Sequence, residues 1–565
     1  MKKSLAKLLL SASAMVFVLV LMTGCKKLII KETTTEDVNI VGYLDKNLDS
    51  FSLFRQILER TETAAYLNAY GAYTLFAPTN SGVRAYLPKI GATSVETADI
   101  AVLKDMVRFH LLEDTVTTGA FTDGKLPVIT QYGQYLITSV GQKAGASTYL
   151  INRQAFDIQP DVRVGNGIIH VIDNVLIAPK LTVAKALEAN PNYSIFTQAL
   201  KETGYFDLLN IDKNPDPSKR WLTVLAESNQ VLADSGITSY AQLKAKYSKT
   251  GNPKLITDSL NLYCAYHILS GIKFLGDIII ATSHTTLAPQ EVVSSKLENQ
   301  EVLINDDVFN GVLEPGVTLK RPTSDVASNN GVIHDASAHF TLKYRKPTAV
   351  FWDCSDFTEI RKLPAYFRKQ NYNFVKANDV DFPIKDIIWP MGAANGTSTL
   401  QYSFSTASSI TNFACNADVN ILPLGAPNRP FWVDYRTPTI IKGRYKVWVG
   451  YRAQKQSSSS NMQCNVLIDG VTMQRPFNFT EVRPNGTDGE LESIGWKRYT
   501  ENTSTNWAAR LVGTVDILTT ERHMLRINSI NGTQNNNNLD MIHFIPVDEP
   551  QVLPRFKPDG SKLFL

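Results

Sequence analysis

Five cysteines in 565 residues, no two of them spaced as C-x-x-C, leave no framework for a zinc ribbon or a thioredoxin-type redox pair. Catalytic signatures are missing as well. There is no G-x-S-x-G, no H-E-x-x-H and no phosphate loop, so nucleophile elbow, metalloprotease helix and nucleotide cradle are all excluded. Gly165-Asn166-Gly167 opens a dinucleotide-type G-x-G-x-x-G, but His170 stands where the third glycine belongs and no amphipathic helix follows. Asp379 and Asp381 are the nearest approach to a glycosidase carboxylate pair, and aspartates in a loop are far more often simply solvated. No enzyme and no cofactor are expected. An excess of one charge is also lacking: the formal net charge of +4 falls to +1 once the three lysines of residues 1–24 are set aside. With no long Lys/Arg stripe, nothing favours nucleic acid as a partner.

What the chain does contain is a folded protein's 44% hydrophobic content and a length that calls for roughly three or four units of about 150 residues. It also contains a repeat. Asn166-Gly167-Ile168-Ile169-His170 returns as Asn330-Gly331-Val332-Ile333-His334, and upstream of each copy stands an aromatic-His pair, Phe109-His110 and Tyr266-His267. The paired histidines lie 157 and 164 residues apart, which suits a duplicated domain and not a solenoid repeat. Asn-Gly is a strong turn signal because both residues tolerate positive φ, and the alternation of Ile169, Val171 and Val175 is strand-like, so the motif reads as a turn feeding a buried strand. His110 and His267, each in an apolar segment, read as core histidines.

At the N-terminus Lys2, Lys3 and Lys7 precede an apolar run from Leu8 to Met22, short of the ~20 residues of a membrane helix, which reads as a secretory signal. Met22-Thr23-Gly24-Cys25 resembles the lipobox of bacterial lipoproteins, with Met22 where that family prefers Leu. The resemblance implies a signal peptide of residues 1–24 and a lipid, palmitate included, on Cys25. Multiple acyl chains give lasting membrane attachment at ~0.8 kcal/mol per buried methylene. Lys26, in place of the Asp that retains some lipoproteins at the inner membrane, implies an outer-membrane lipoprotein, with cell-surface exposure open. Residues 25–37 form the tether.

From Val38 the spacing of Leu53, Phe54, Ile57 and Leu58 predicts a helix, followed by a β-rich run Tyr73–Pro78 and a helix through Val83 and Leu87 that Asn80 is placed to cap. YTLFAPTN, LKDMVRFHLLEDTV and GNGIIHVIDNVLIAP, in that order, resemble the three signature segments of the fasciclin domain, an adhesion module, over residues 38–179. A divergent second copy over 180–345 opens with TGYFDLL, has Trp221–Asn229 in place of YTLFAPTN without its proline, and has Asp335-Ala336-Ser337 in place of Val171-Ile172-Asp173. The resemblance implies an α+β fold for each copy. It also implies Phe109, His110, Tyr266 and His267 as a candidate adhesion motif.

Beyond residue 380 lie five of the seven tryptophans and many short alternating segments, among them Tyr445–Ala453, Met524–Ile527 and Leu539–Phe544. Many short strands mean a β-sandwich. Residues 395–548 resemble the galactose-binding-like jelly-roll family that includes carbohydrate-binding modules, joined by a segment 346–394 and followed by a tail 549–565. The resemblance implies Trp496 and Trp507 as candidate sugar-stacking residues and Asn538 as the hydroxyl partner, beside the reading of both indoles as sandwich core. Cys264 reads as a packed thiol. Export permits one disulfide among Cys354, Cys415 and Cys464, with Cys415 to Cys464 one of the pairings.

The chain is thus expected to be multidomain, two α+β fasciclin domains followed by an all-β jelly-roll sandwich. The functions in view are adhesion to envelope or host surface proteins through the fasciclin domains, or polysaccharide capture by the sandwich of an outer-membrane uptake lipoprotein. Replacing Cys25 by Ser is expected to release the protein from the membrane fraction of cells. A variant that still pellets with membranes would contradict lipid attachment.

Overall fold

The computed structural model describes residues 38–564 except 69–70, 310–311, 376–385, 391–398, 409–410, 423, 426–429 and 535. Cys25 with the signal and tether, and Asp379 and Asp381, lie outside the described residues. The chain divides into two compact units, one ending at Ala178 and the other beginning at Pro179. No helix among the described residues is long and apolar enough to cross a membrane.

In the first unit the helix Leu48–Arg60 buries Phe51, Phe54, Ile57 and Leu58 along one stripe. The helix Ile100–Phe109 starts at Asp99, whose carboxylate accepts from the N–H groups of Ala101 and Val102. The strands are β1 (Tyr73–Pro78), β2 (Leu111–Leu112), β3 (Gly124–Lys125), β4 (Ile137–Lys143), β5 (Ala146–Ile151), β6 (Ala155–Val164) and β7 (Gly167–Ile172). They form one sheet in the order β2-β1-β7-β6-β5-β4-β3. β1 and β7 run parallel, from Tyr73 opposite Gly167 to Pro78 opposite Ile172. Leu75, Ala77, Ile169 and Val171 pack against the helices, while Phe76 and Ile172 pack on the other side with Phe109 and Leu136. Burial on both faces is why these two strands read as near-continuous apolar runs.

The second unit opens with a copy of this plan. Its strands are β8 (Leu222–Glu227), β9 (Ile268–Ser270), β10 (Ser283–Thr285), β11 (Val292–Glu298), β12 (Glu301–Ile304), β13 (Asp307–Phe309), β14 (Val312–Glu314), β15 (Val317–Leu319), β16 (Val326–Ser328) and β17 (Gly331–Ala336). The sheet path β9-β8-β17-β15-β12-β11-β10 retraces that of the first unit position by position, with the pair β13-β14 and the side strand β16 as additions. β8 and β17 are again the parallel pair, Leu222 opposite Gly331 through Glu227 opposite Ala336.

The asparagine of each Asn-Gly pair works differently from a positive-φ turn former. The two-residue turns are Gly165-Asn166 and Asn329-Asn330, because Val164 pairs with Gly167 and Ser328 with Gly331. Neither Asn166 nor Asn330 has positive φ. Each asparagine is instead a side-chain tie between helix ends that lack backbone partners. Asn166 accepts from Ile40 N–H (2.8 Å) and donates to Leu67 C=O (2.6 Å); Asn330 accepts from Val183 N–H (2.9 Å) and donates to Leu209 C=O (2.9 Å). The glycines are required by close approach: a Cβ would lie 2.1 Å from the Tyr73 carbonyl oxygen at Gly167 and 2.0 Å from that of Leu222 at Gly331. Asn80 also departs from expectation. Thr79 caps the helix, and Asn80 reaches back to accept from Leu53 N–H (2.8 Å), as Asn229 does from Ile195 N–H (3.1 Å) in the second copy.

The rest of the second unit is a two-sheet antiparallel sandwich of the jelly-roll kind. The larger sheet centres on strands Asn537–Pro546, Gly443–Arg452 and Trp507–Ile517, the smaller on Trp432–Ile440, Glu521–Gly532 and Met462–Ile468. Between them lies the largest apolar cluster, with Trp389, Tyr435, Val447, Leu525 and Phe544. Described parts of the segment 346–394 join the sandwich: Val350–Asp353 pairs with Asn537–Pro546, and Ile387–Ile388 with Trp432–Ile440. The C-terminal residues fold back too, burying Phe556 in a second apolar layer on the outer side of the larger sheet with Trp448, Tyr499 and Trp507. Strands as short as these carry too little alternation to be seen in sequence. Cys415 lies in that outer layer and Cys464 between the sheets, so the larger sheet separates them. All four described cysteines are buried free thiols, which corrects the expectation of a disulfide.

Asn166→Ala orphans a buried N–H and a buried C=O at once, each costing roughly 1–3 kcal/mol. The first unit is expected to lose about 2–4 kcal/mol in denaturant unfolding. An unchanged midpoint would remove the asparagine from its structural role.

Candidate functional site

Neither aromatic-His pair is presented at a surface. Phe109 and His110 are fully buried, as is His267, and Tyr266 is nearly so. His110 donates from Nδ1 to Met106 C=O (2.7 Å) and accepts at Nε2 from Leu176 N–H (2.9 Å). Burial lowers its pKa to about 4, so the ring is neutral and serves as a bracket between the helix and the segment that follows β7. As folded, the four residues of the candidate adhesion motif are core residues.

In the second copy the bracket becomes a charge network. Glu227 occupies the position of Pro78 at the end of the parallel strand, and its carboxylate is fully buried. One oxygen faces His267 Nε2 (3.0 Å) and accepts from Phe340 N–H (2.8 Å); the other accepts from Tyr263 OH (2.7 Å) and faces His339 Nδ1 (2.7 Å). His339 Nε2 in turn meets Tyr247 OH (2.7 Å). Burial alone would raise this carboxyl, but the two imidazoles and their hydrogen bonds bring it down to about 2. Every polar atom of the glutamate is engaged, so the network is structural cement with no vacancy for a ligand.

The candidate sugar residues are likewise inside. Trp496 is 5% exposed, packed between the sheets with the Arg510 guanidinium 4.8 Å from its ring centroid. Trp507 is 2% exposed in the outer apolar layer. Asn538 donates to Gln454 Oε1 (3.0 Å), which also accepts from Arg452 (2.7 Å). Trp507 and Asn538 flank Arg452 in one cross-strand row, whereas Trp496 pairs with Arg510 at another point of the sheet. As folded, neither indole offers a face to a ring from solution: Trp496 is packed between the sheets, and the outer layer that holds Trp507 is itself covered.

An open aromatic and amide surface exists elsewhere, at one end of the smaller sheet. The strand Trp432–Ile440 alternates, with Val433 and Tyr435 in the core and Trp432, Asp434 and Arg436 outward. Phe431, just before it, is 70% exposed, and Ile530 on the next strand is 48% exposed. Trp432 is half-buried and pinned: the Arg526 guanidinium lies 4.0 Å from its ring, and Asp434 grips that guanidinium with both oxygens (2.6 and 2.8 Å). Trp432, Asn528 and Asn465 form one cross-strand row. Beside it Asn478 donates to Asn461 (2.6 Å), Asn461 to Asn531 (2.5 Å) and Asn531 to Gln463 (3.3 Å). Rigid aromatics next to oriented amides can recognise a ligand with apolar C–H faces and hydroxyl edges. The sequence carries this signal in W-V-D-Y-R, whose alternation puts Trp432, Asp434 and Arg436 on one side of the strand.

A family model described as the fasciclin domain matches residues 49–178. Stabilin-1 of Homo sapiens is 27% identical over 142 residues, which is 25% of this chain and 5% of that protein. Transforming growth factor-beta-induced protein ig-h3 of Sus scrofa is 22% identical over 312 residues, 55% of this chain and 40% of that protein. Protein sll1483 of Synechocystis is 27% identical over 158 residues, 27% of this chain and 82% of that protein. The chain thus spans only a small part of the stabilins it matches. Among solved structures, a FAS1 domain pair from the insect cell adhesion molecule Fasciclin I is 17% identical over 51% of this chain and 96% of that one, with a TM-score of 0.23. A family 35 carbohydrate binding module from Clostridium thermocellum is 7% identical over 35% of this chain and 99% of that one, with a TM-score of 0.16. Such scores carry no functional weight. Residues 49–178 are a fasciclin domain, within a multidomain chain that ends in an all-β sandwich.

The Glu227 carboxyl is depressed in the fold, so its contribution is complete above the unfolded value near 4.5 and is lost as pH falls toward about 2. The melting temperature of the second unit is expected to fall over that window more steeply in the parent than in Glu227→Gln. Parallel curves for the two proteins would show that the glutamate is not held ionised by His267 and His339.

Proposed function

We propose that this protein is a non-catalytic, lipid-anchored glycan-binding protein of the bacterial cell envelope. It is tethered at the outer membrane through Cys25 and captures polysaccharide at the Trp432 end of the sandwich. The observation that carries this reading is the indole of Trp432 held in place by Asp434 and Arg526, beside exposed Phe431 and a connected row of amides. Its aromatic and amide groups are fixed before any ligand arrives, which lowers the ordering cost of binding. The groups named here, an indole, a phenyl ring and side-chain amides, are suited to recognition.

Protein adhesion through the fasciclin domains is the second reading, supported by the family match at residues 49–178. It requires a surface other than Phe109-His110 and Tyr266-His267, which are buried. On the first reading these domains are spacers.

Calorimetric titration of the mature chain against a panel of plant and host polysaccharides tests the proposal, with Trp432→Ala and Phe431→Ala in parallel. Loss of an aromatic contact is expected to weaken binding by on the order of 1 kcal/mol or more. Absence of saturable binding, or binding indifferent to both substitutions, would return the function to the fasciclin domains.

A further inference from the structure

The outward face of the smaller sheet carries more than the pinned indole. Along Met462–Ile468 alternation puts Gln463 and Asn465 outward, while Cys464 and Val466 lie in the core between the sheets. Asn465 stands opposite Asn528, and Asn528 opposite Trp432, so two amides follow the indole across the strands. Gln463 stands opposite Asn531 on one side and Asn478 on the other. These residues share one face, and they cross the strands Trp432–Ile440, Glu521–Gly532, Met462–Ile468 and Phe477–Asn478. At ~4.8 Å between neighbouring strands the row extends roughly 14 Å, the run of about three linked pyranose rings.

The amides of this row are of two kinds. Asn478, Asn461, Asn531 and Gln463 donate one to the next in a single direction, which holds their planes. Asn528 and Asn465 make no side-chain hydrogen bond among the described residues, and both are half-buried with their amide atoms still open to solvent. Each offers an unused NH₂ and an unused carbonyl oxygen, a pair that can donate to one hydroxyl and accept from the next. Side chains directly opposite each other start ~4.5–5.5 Å apart, so the two amides reach hydroxyls of the same ring or of adjoining rings. The charges beside the row, Asp434 and Arg526, hold each other (2.6 and 2.8 Å), which leaves neither sign unmatched for an ionic ligand. Both ends are open, with Phe431 exposed beyond the indole and Asn531 exposed at the far side. We propose that this face binds an internal stretch of a neutral linear glycan laid across the strands. Trp432 stacks on one ring, Asn528 and Asn465 grip hydroxyls of the next, and Gln463 meets a third. The inference rests on the reading of the Trp432 surface as a glycan site and adds to it the length, the charge class and the part of the chain that is recognised.

The test is calorimetric titration of the mature chain with cello-, manno-, xylo- and malto-oligosaccharides, each from monosaccharide to hexasaccharide, and with oligogalacturonides as the anionic probe. Affinity for at least one neutral series is expected to rise at least about tenfold between monosaccharide and trisaccharide and to level off beyond it, counting each ring as a few hydrogen bonds. It is expected to be the same at low and high salt and to survive reduction of the chain's reducing end to the alditol. Asn528→Ala and Asn465→Ala, whose side chains make no hydrogen bond in the fold, are each expected to weaken the trisaccharide roughly three- to tenfold. Gln463→Ala is expected to weaken the trisaccharide and leave the disaccharide unchanged. If no probe binds in a way that Trp432→Ala weakens, the glycan reading falls and this inference with it. Trp432-dependent binding that ignores chain length, needs an intact reducing end, prefers oligogalacturonides or is indifferent to both asparagines would overturn the extended neutral site alone.

Discussion

The parallel strand pair at the centre of each fasciclin-type copy depends on a backbone that passes too close for any side chain. At Gly167 and Gly331 the chain turns out of a hairpin and lies directly against the first residue of the partner strand. Strands adjacent in the sheet but distant in sequence then pair in parallel, and the asparagine before each glycine fastens the helical layer to the same point. Loop closure over so long a stretch is entropically costly. It is offset by burying both strands on both faces, the densest apolar packing available to a sheet.

That constraint explains how the second copy could diverge. With pairing secured by the Asn-Gly corner, positions along both strands of the parallel pair differ in character between the copies. Where the first copy has Pro78 the second has Glu227, an ion stabilised by two imidazoles and a phenol, and where the first has Val171 the second has Asp335. A buried ionic network of this kind contributes little net stability against an apolar alternative. Its effect is to fix the positions of Tyr263, His267 and His339.

Much of this was legible in the sequence because duplication is visible without knowing the fold. The recurrence of N-G-[I/V]-I-H, the apolar stripe of Phe54, Ile57 and Leu58, and the alternation of Tyr445–Ala453 each reported a real element. What escaped was the reason for some residues. Asn166 looked like a turn former because its side chain's partners, Ile40 and Leu67, lie about a hundred residues away or more. Trp496 and Trp507 could not be told from surface tryptophans, since the cover over Trp507 comes from a C-terminal segment with no pattern of its own. Trp432 was legible in its alternation, but only the Asp434–Arg526 grip, formed between two strands, distinguishes a held indole from an ordinary one.

The sandwich meets the second fasciclin-type domain at one end of its smaller sheet: Lys442 pairs with Glu291, Ser283 with Glu521, and Arg436 donates to Thr282 (3.1 Å). Trp432 lies at the opposite end of the strand whose far end makes these contacts. A pull applied at Trp432 against these contacts would therefore load that strand along its own length. Its ladder to Glu521–Gly532 would be strained in shear, with many bonds sharing the force at once, and not peeled apart one bond at a time. The same two strands that position the indole are thus oriented to resist tension between Trp432 and the second fasciclin-type domain.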